Sequence, residues 1–206
     1  MKRLNSKSHA AFLRHVRCIC DLHNIDLYLG KGETIKEEGA QAGTCHGVFD
    51  ESTLSVATGK EESNWIGVLA HEYSHMIQYL TDERVWYQES NAKVDSCTVL
   101  SRPTLFSDLT VHEAVRMTVE VEWDAEKRAV ETIKEWDLEV DLDEYCRIAN
   151  SYLWLIHMTP ETNKGYNYLH PEIVQEQAKV IGPMDQYRVL TDQRKNRIQS
   201  ILALIE

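Results

Sequence analysis

No stretch of this chain is long and apolar enough to span a bilayer. Its strongest run, Tyr152-Leu-Trp-Leu-Ile156, falls far short of the roughly 20 residues a membrane helix needs. The basic residues Lys2, Arg3 and Lys7 near the N-terminus have no apolar segment behind them, so a secretory signal is not expected. The cysteines number five, an odd count in loose spacing, which argues against a disulfide scaffold and for a reducing compartment, the cytoplasm. Cys18-Ile-Cys20 is too tight for an ordinary chelating pair. Basic charge is also scarce: 22 Lys and Arg against 33 Asp and Glu give a net charge of −11. No basic stripe is left to neutralise phosphates, and nucleic acid is not an expected partner. A basic protein partner or substrate, drawn by long-range attraction, stays open. There is no internal repeat, low-complexity tract or interdomain linker. With 206 residues, one substantial core is expected, a single domain over 1–206 with its core in 44–136 and helices of 141–206 closing it. Oligomeric state leaves no mark on the sequence.

What the chain does have is His71-Glu72-Tyr73-Ser74-His75. In a helix, residues four apart share a face, so His71 and His75 can grip one metal ion. Glu72 adjoins the first of them, where a carboxylate can take a proton from water that the metal activates. The segment leading in, Asn64-Trp-Ile-Gly-Val-Leu-Ala70, is apolar, with Ser63 or Asn64 as the expected helix cap. Zinc is the expected ion.

Two histidines do not complete a catalytic zinc site, which takes three protein ligands and one water. Residues 109–136 have helical periodicity, with an inner stripe of Val111, Val115, Thr118, Glu122, Ala125, Ala129, Ile133 and Trp136. Glu122 is the one charged member of that stripe, and a lone carboxylate there costs several kcal/mol unless paired or bound to metal. It is the expected third ligand. Glu126 follows one turn later, placed to accept the outer N–H of a ligand histidine. The competing ligands are His112, whose own stripe runs through Arg116 and Trp123, and Glu113. His46 reads as a surface histidine outside the site.

The rest of the chain supplies an α+β frame, mainly helical, with a small antiparallel sheet ahead of the motif helix. Residues 6–23 read as an amphipathic helix with Ala11, Phe12, His15, Val16, Ile19 and Leu22 inward. Strands are expected at Thr44–Phe49 and Thr53–Thr58, joined by Asp50-Glu51-Ser52, and the hairpin runs into the motif helix at 63–80. The segment 43–48 is the expected edge strand, able to take an extended peptide as an added strand. Residues 81–108 form a long connection of the kind that carries lids or substrate walls. A helix at 141–158 with Tyr145, Ile148, Tyr152, Leu155 and Ile156 inward, a loop at 159–171, and helices near 171–181 and 184–205 complete the reading.

His71-Glu72-x-x-His75 followed by Glu122-x-x-Ala125-Glu126-x-x-Ala129 resembles the gluzincin metallopeptidases, over roughly residues 44–133. The chain also resembles small intracellular metallopeptidase-like proteins of bacteria and phages. The resemblance implies a zincin-like fold, zinc held by His71, His75 and Glu122, and Glu72 as general base in hydrolysis of a protein or peptide substrate. The family more often has aspartate where this chain has Glu126. An oxyanion donor is expected from a downstream loop, with Tyr166 and His170 the first candidates and Tyr168 and His157 beside them. The alternative function is a catalytically silent zincin-like protein whose acidic surface binds or inhibits a basic partner.

Overall fold

The computed structural model describes residues 6–36, 44–81, 83–86, 96–157 and 159–162. Helix α1 (Lys7–His23) is followed by strands β1 (Asp26–Gly30), β2 (Ile35–Lys36), β3 (Thr44–Cys45), β4 (Gly47–Phe49) and β5 (Thr53–Ala57). Helices α2 (Glu62–Thr81), α3 (Glu83–Trp86), α4 (Ser96–Ser101), α5 (Asp108–Glu135), α6 (Leu142–His157) and α7 (Thr159–Thr162) follow, with one 3-10 turn at Pro103–Leu105. The class is α+β and mainly helical. None of the described helices is long and apolar enough to cross a membrane.

Two compact units divide the chain: residues 1–83 with 125–141, and residues 84–124 with 142–206. The division falls inside α5, an unbroken helix whose first part belongs to the second unit and whose last part belongs to the first.

In the first unit, α1 buries His9, Phe12, Leu13, Val16 and Cys20. The four-residue steps Phe12–Val16–Cys20 hold one face. Leu22, expected inward, lies off that face and is 70% exposed. Asn24 ends the helix in the left-handed region at φ 56, its N–H returning to the Cys20 carbonyl; asparagine tolerates that conformation better than most residues.

The three-stranded sheet has the order β1-β5-β4. Its β4–β5 pair is the expected antiparallel hairpin, with Phe49 opposite Leu54 and Gly47 opposite Val56. Asp50 builds the turn: Oδ1 accepts the N–H groups of Ser52 and Thr53 at 3.1 and 2.7 Å, while Glu51 takes φ 71. The sheet is mixed rather than purely antiparallel, because β1 runs parallel to β5. Strands β2 and β3 form a separate two-stranded ribbon. Buried Leu54, Val56 and Ala57 of β5 belong to the same core residues as Trp65, Ile66, Leu69 and Ala70 of α2.

Helix α2 starts at Glu62, so Ser63 and Asn64 are inside it rather than capping it. The carbonyl of Glu61 accepts the N–H of Asn64 and of Trp65 at 3.1 and 3.2 Å. Just past α5, Trp136 packs against Phe12, ring centroids 5.7 Å apart. Asp137 then turns the chain at φ 48, and the Leu138 N–H reaches back to the Ile133 carbonyl.

The second unit has its own apolar cluster, drawn from Val99 and Leu100 of α4, Val111, Ala114, Val115 and Val119 of α5, and Leu153, Trp154, Leu155 and Ile156 of α6. Ile148, expected inward on α6, is 39% exposed; Cys146, Ala149, Asn150 and Leu153 form the buried stripe instead. The expected loop after α6 opens with the short helix α7. The helices expected near 171–181 and 184–205 lie outside the described residues.

Candidate metal centre

Helix α2 is apolar along one side, and that burial fixes which residues turn inward. Trp65, Ile66, Leu69, Ala70 and Met76 are interior. Among them the helix buries polar side chains, Glu72, Ser74, His75 and Gln78, at 6, 1, 8 and 0% exposure. Ser74 is satisfied locally, its hydroxyl donating to the Ala70 carbonyl at 2.7 Å. The other three need a different account.

His71 and His75, one turn apart, bring their Nε2 atoms to 3.2 Å, with the ring planes perpendicular. His75 Nδ1 donates to Gln78 Oε1 at 2.8 Å. His71 Nδ1 lies 3.2 Å from Glu126 Oε1. The Gln78 oxygen holds the His75 ring proton on Nδ1 and leaves the lone pair on Nε2, while the Glu126 carboxylate lies at ion-pair distance from His71 Nδ1. Two imidazole nitrogens facing at 3.2 Å share either a proton, as a hydrogen bond, or a cation. Two nitrogens on one tetrahedral zinc, at Zn–N distances of about 2.0–2.1 Å, would stand about 3.3 Å apart. The observed spacing fits that arrangement.

Glu122 and Glu126 are one turn apart on the unbroken helix α5, so a frame that brings Glu126 to His71 carries Glu122 along the same face. The ligand atoms of His71, His75 and Glu122 lie within 4.8 Å of one another. Two imidazoles and one carboxylate are a donor set that zinc accepts, and that leaves a coordination position for water.

The Glu72 side chain lies against strand β4. A Cβ placed on Gly47 would come within 2.7 Å of Glu72 Cγ and Oε1 and 2.6 Å of Val68 Cγ1. Strand β4 therefore passes directly against the carboxylate, and only glycine allows that approach. In the three-stranded sheet β4 is an edge strand. A buried carboxylate thus stands beside an edge strand, next in sequence to His71 of the candidate ligand group.

Of the competing ligands, His112 and Glu113 are exposed on α5 and stand outside the His71–His75–Glu122 group. His46 is an exposed histidine: Nδ1 donates to the Glu33 carbonyl at 3.0 Å, and Lys60 Nζ donates to Nε2 at 3.1 Å. Tyr166, Tyr168 and His170 lie outside the described residues. His157 ends α6, half-buried. Gln78 and Gly47 had no place in the sequence reading. The first carried a signal, since it stands three residues after His75 and seven after His71, on the same helical face. The second became visible only when the hairpin met α2.

Comparison with protein-family models, with curated proteins and with solved structures finds no match to this chain.

Proposed function

We propose that this protein is a zinc-dependent metallopeptidase of the gluzincin kind, with zinc held by His71, His75 and Glu122 and with Glu72 as general base. The observation that carries the reading is the pair of Nε2 atoms 3.2 Å apart, grouped with the Glu122 carboxylate, while a separate buried carboxylate, Glu72, faces an edge strand. Zinc bound there would lower the pKa of its water to about 7 and polarise the substrate carbonyl.

The chain's own residues supply the rest. Glu72 accepts a proton as water attacks the peptide carbonyl, and then hands it to the departing amine, so the amide C–N bond breaks with the proton balance closed. Strand β4 offers its outer edge to an extended peptide, which backbone hydrogen bonds would hold alongside Glu72 regardless of sequence. Gly47 keeps that edge free of a side chain at the point of closest approach. Glu126 and Gln78 orient the two histidines.

The test separates metal binding from chemistry. Zinc content and cleavage of a peptide library are measured for the wild-type chain and for Glu72→Gln. Both forms are expected to hold one zinc per chain, with cleavage in the variant lower by about 10²–10⁴-fold. A zinc-loaded wild-type chain that cuts nothing, or a Glu72→Gln form that cuts as well as wild type, would overturn the proposal. The first of those outcomes would leave the silent, acidic binding protein as the better account.

A further inference from the structure

Gln78 is fully buried on α2, and its Oε1 accepts the Nδ1–H of His75 at 2.8 Å. A glutamine sealed in an apolar helix face is costly unless its amide is hydrogen-bonded, and an unbranched apolar side chain would fill the same space at lower cost. The polar group therefore has to be explained by what it touches.

The two candidate ligand histidines are oriented by different chemistry. His71 has a carboxylate at Nδ1, Glu126, brought in by α5. His75 has a neutral amide from its own helix, three residues along. An acceptor on Nδ1 fixes the tautomer and the ring plane, and both must be right for Nε2 to face a metal. Glu122 and Glu126 already bring two carboxylates to these histidines. A neutral acceptor beside the more buried ring orients it without adding like charge.

We infer that Gln78 is a positioning residue of the metal centre, holding His75 in the tautomer and rotamer that turn Nε2 toward the ion. The inference rests on the zinc reading above and deepens it. Gln78 acts on the metal centre through His75, so its removal should weaken zinc binding while leaving the ligand set and Glu72 in place.

Zinc affinity is measured by competition with a chromophoric chelator for wild type, Gln78→Met and Gln78→Glu, with thermal melting of the metal-free forms in parallel. Gln78→Met matches the length but offers no oxygen acceptor, and a roughly 10–100-fold weaker zinc affinity is expected, with the metal-free chain melting no lower than wild type. Gln78→Glu keeps an acceptor in reach and is expected to restore affinity to near the wild-type value or above it. Should the methionine variant fail to fold, Gln78→Asn keeps the amide but shortens its reach, and the same weakening is expected. A methionine or asparagine variant that folds and binds zinc as tightly as wild type, or a glutamate variant that stays weak, overturns the positioning role and leaves the zinc reading standing. A wild-type chain that takes up no zinc overturns both.

Discussion

Among the described residues of the first unit are two histidine–glutamate pairs that differ in what the far side of each imidazole meets. His9, 2% exposed on α1, sets Nδ1 at 2.7 Å from Glu62 Oε1. Its Nε2 accepts the backbone N–H of Glu139 at 3.0 Å, and the Glu62 carboxylate also takes the N–H of Ser6. Both ring nitrogens of His9 are thus bonded to the protein, and the pair ties α1, the start of α2 and the chain just past α5 together. His71 has the Glu126 carboxylate at the longer distance of 3.2 Å from Nδ1, and its Nε2 faces the Nε2 of His75. A buried histidine–carboxylate pair is therefore a clamp when the remaining nitrogen finds a backbone donor. It becomes a candidate metal site when that nitrogen converges on another ligand atom.

The comparison breaks most sharply at the third ligand. Glu122→Ala should abolish stoichiometric zinc binding, read as metal content after dialysis, because two imidazoles alone make an incomplete site. Full retention of zinc would remove Glu122 from the ligand set. Next in size is Glu126→Ala, expected to weaken zinc affinity by roughly 10–100-fold without changing the one-to-one stoichiometry. An unchanged affinity would make the 3.2 Å contact at His71 a mere neighbour. His9→Ala should do the reverse: zinc affinity stays at the wild-type value while the fold loses about 1–3 kcal/mol in urea denaturation, since the Glu139 N–H and the Glu62 carboxylate lose a buried partner. A shift in zinc affinity there would erase the distinction between the pairs.

The smallest effect touches neither pair and lies among the packed residues of α1 and α2. Burial, with Asp21 adding to it, pushes the Cys20 thiol up from 9.0 to about 11. Burial likewise raises the Tyr73 phenol, with Glu135 and Cys20 contributing. Both groups stay neutral longer in the folded chain than in the unfolded one. Between about pH 9 and 11 the unfolded chain binds fewer protons, so stability falls as pH rises through that window and is whole below it. Urea midpoints measured across the window should decline, and a flat profile would mean that neither group is sealed as the structure has it.

Much of the frame was legible from residue order because it depends on local rules. The ends of α1, α5 and α6 follow from apolar spacing, and the β4–β5 hairpin from alternating apolar residues around Asp50. The apolar period alone does not settle burial at Leu22 and Ile148, which belong to apolar stripes, yet neighbouring Cys20 and Cys146 take the interior. Helix α2 starts ahead of Ser63 and Asn64 because the Glu61 carbonyl accepts the first N–H groups of the helix. The sheet read as antiparallel because a hairpin is a local event, whereas the parallel β1–β5 pair joins strands distant in sequence.

Sequence by itself determined that His71, Glu72 and His75 share a helix, that the two histidines share one face of it, and that Glu122 sits in a stripe where a charge needs a partner. Those conclusions follow from the helical period, a property of consecutive residues. Only the tertiary structure decided that Glu126 meets His71, that Gln78 rather than a carboxylate holds His75, and that β4 runs past Glu72 at a distance glycine alone permits. Each of these depends on side-chain rotamers or on segments far apart in the chain, and packing sets both.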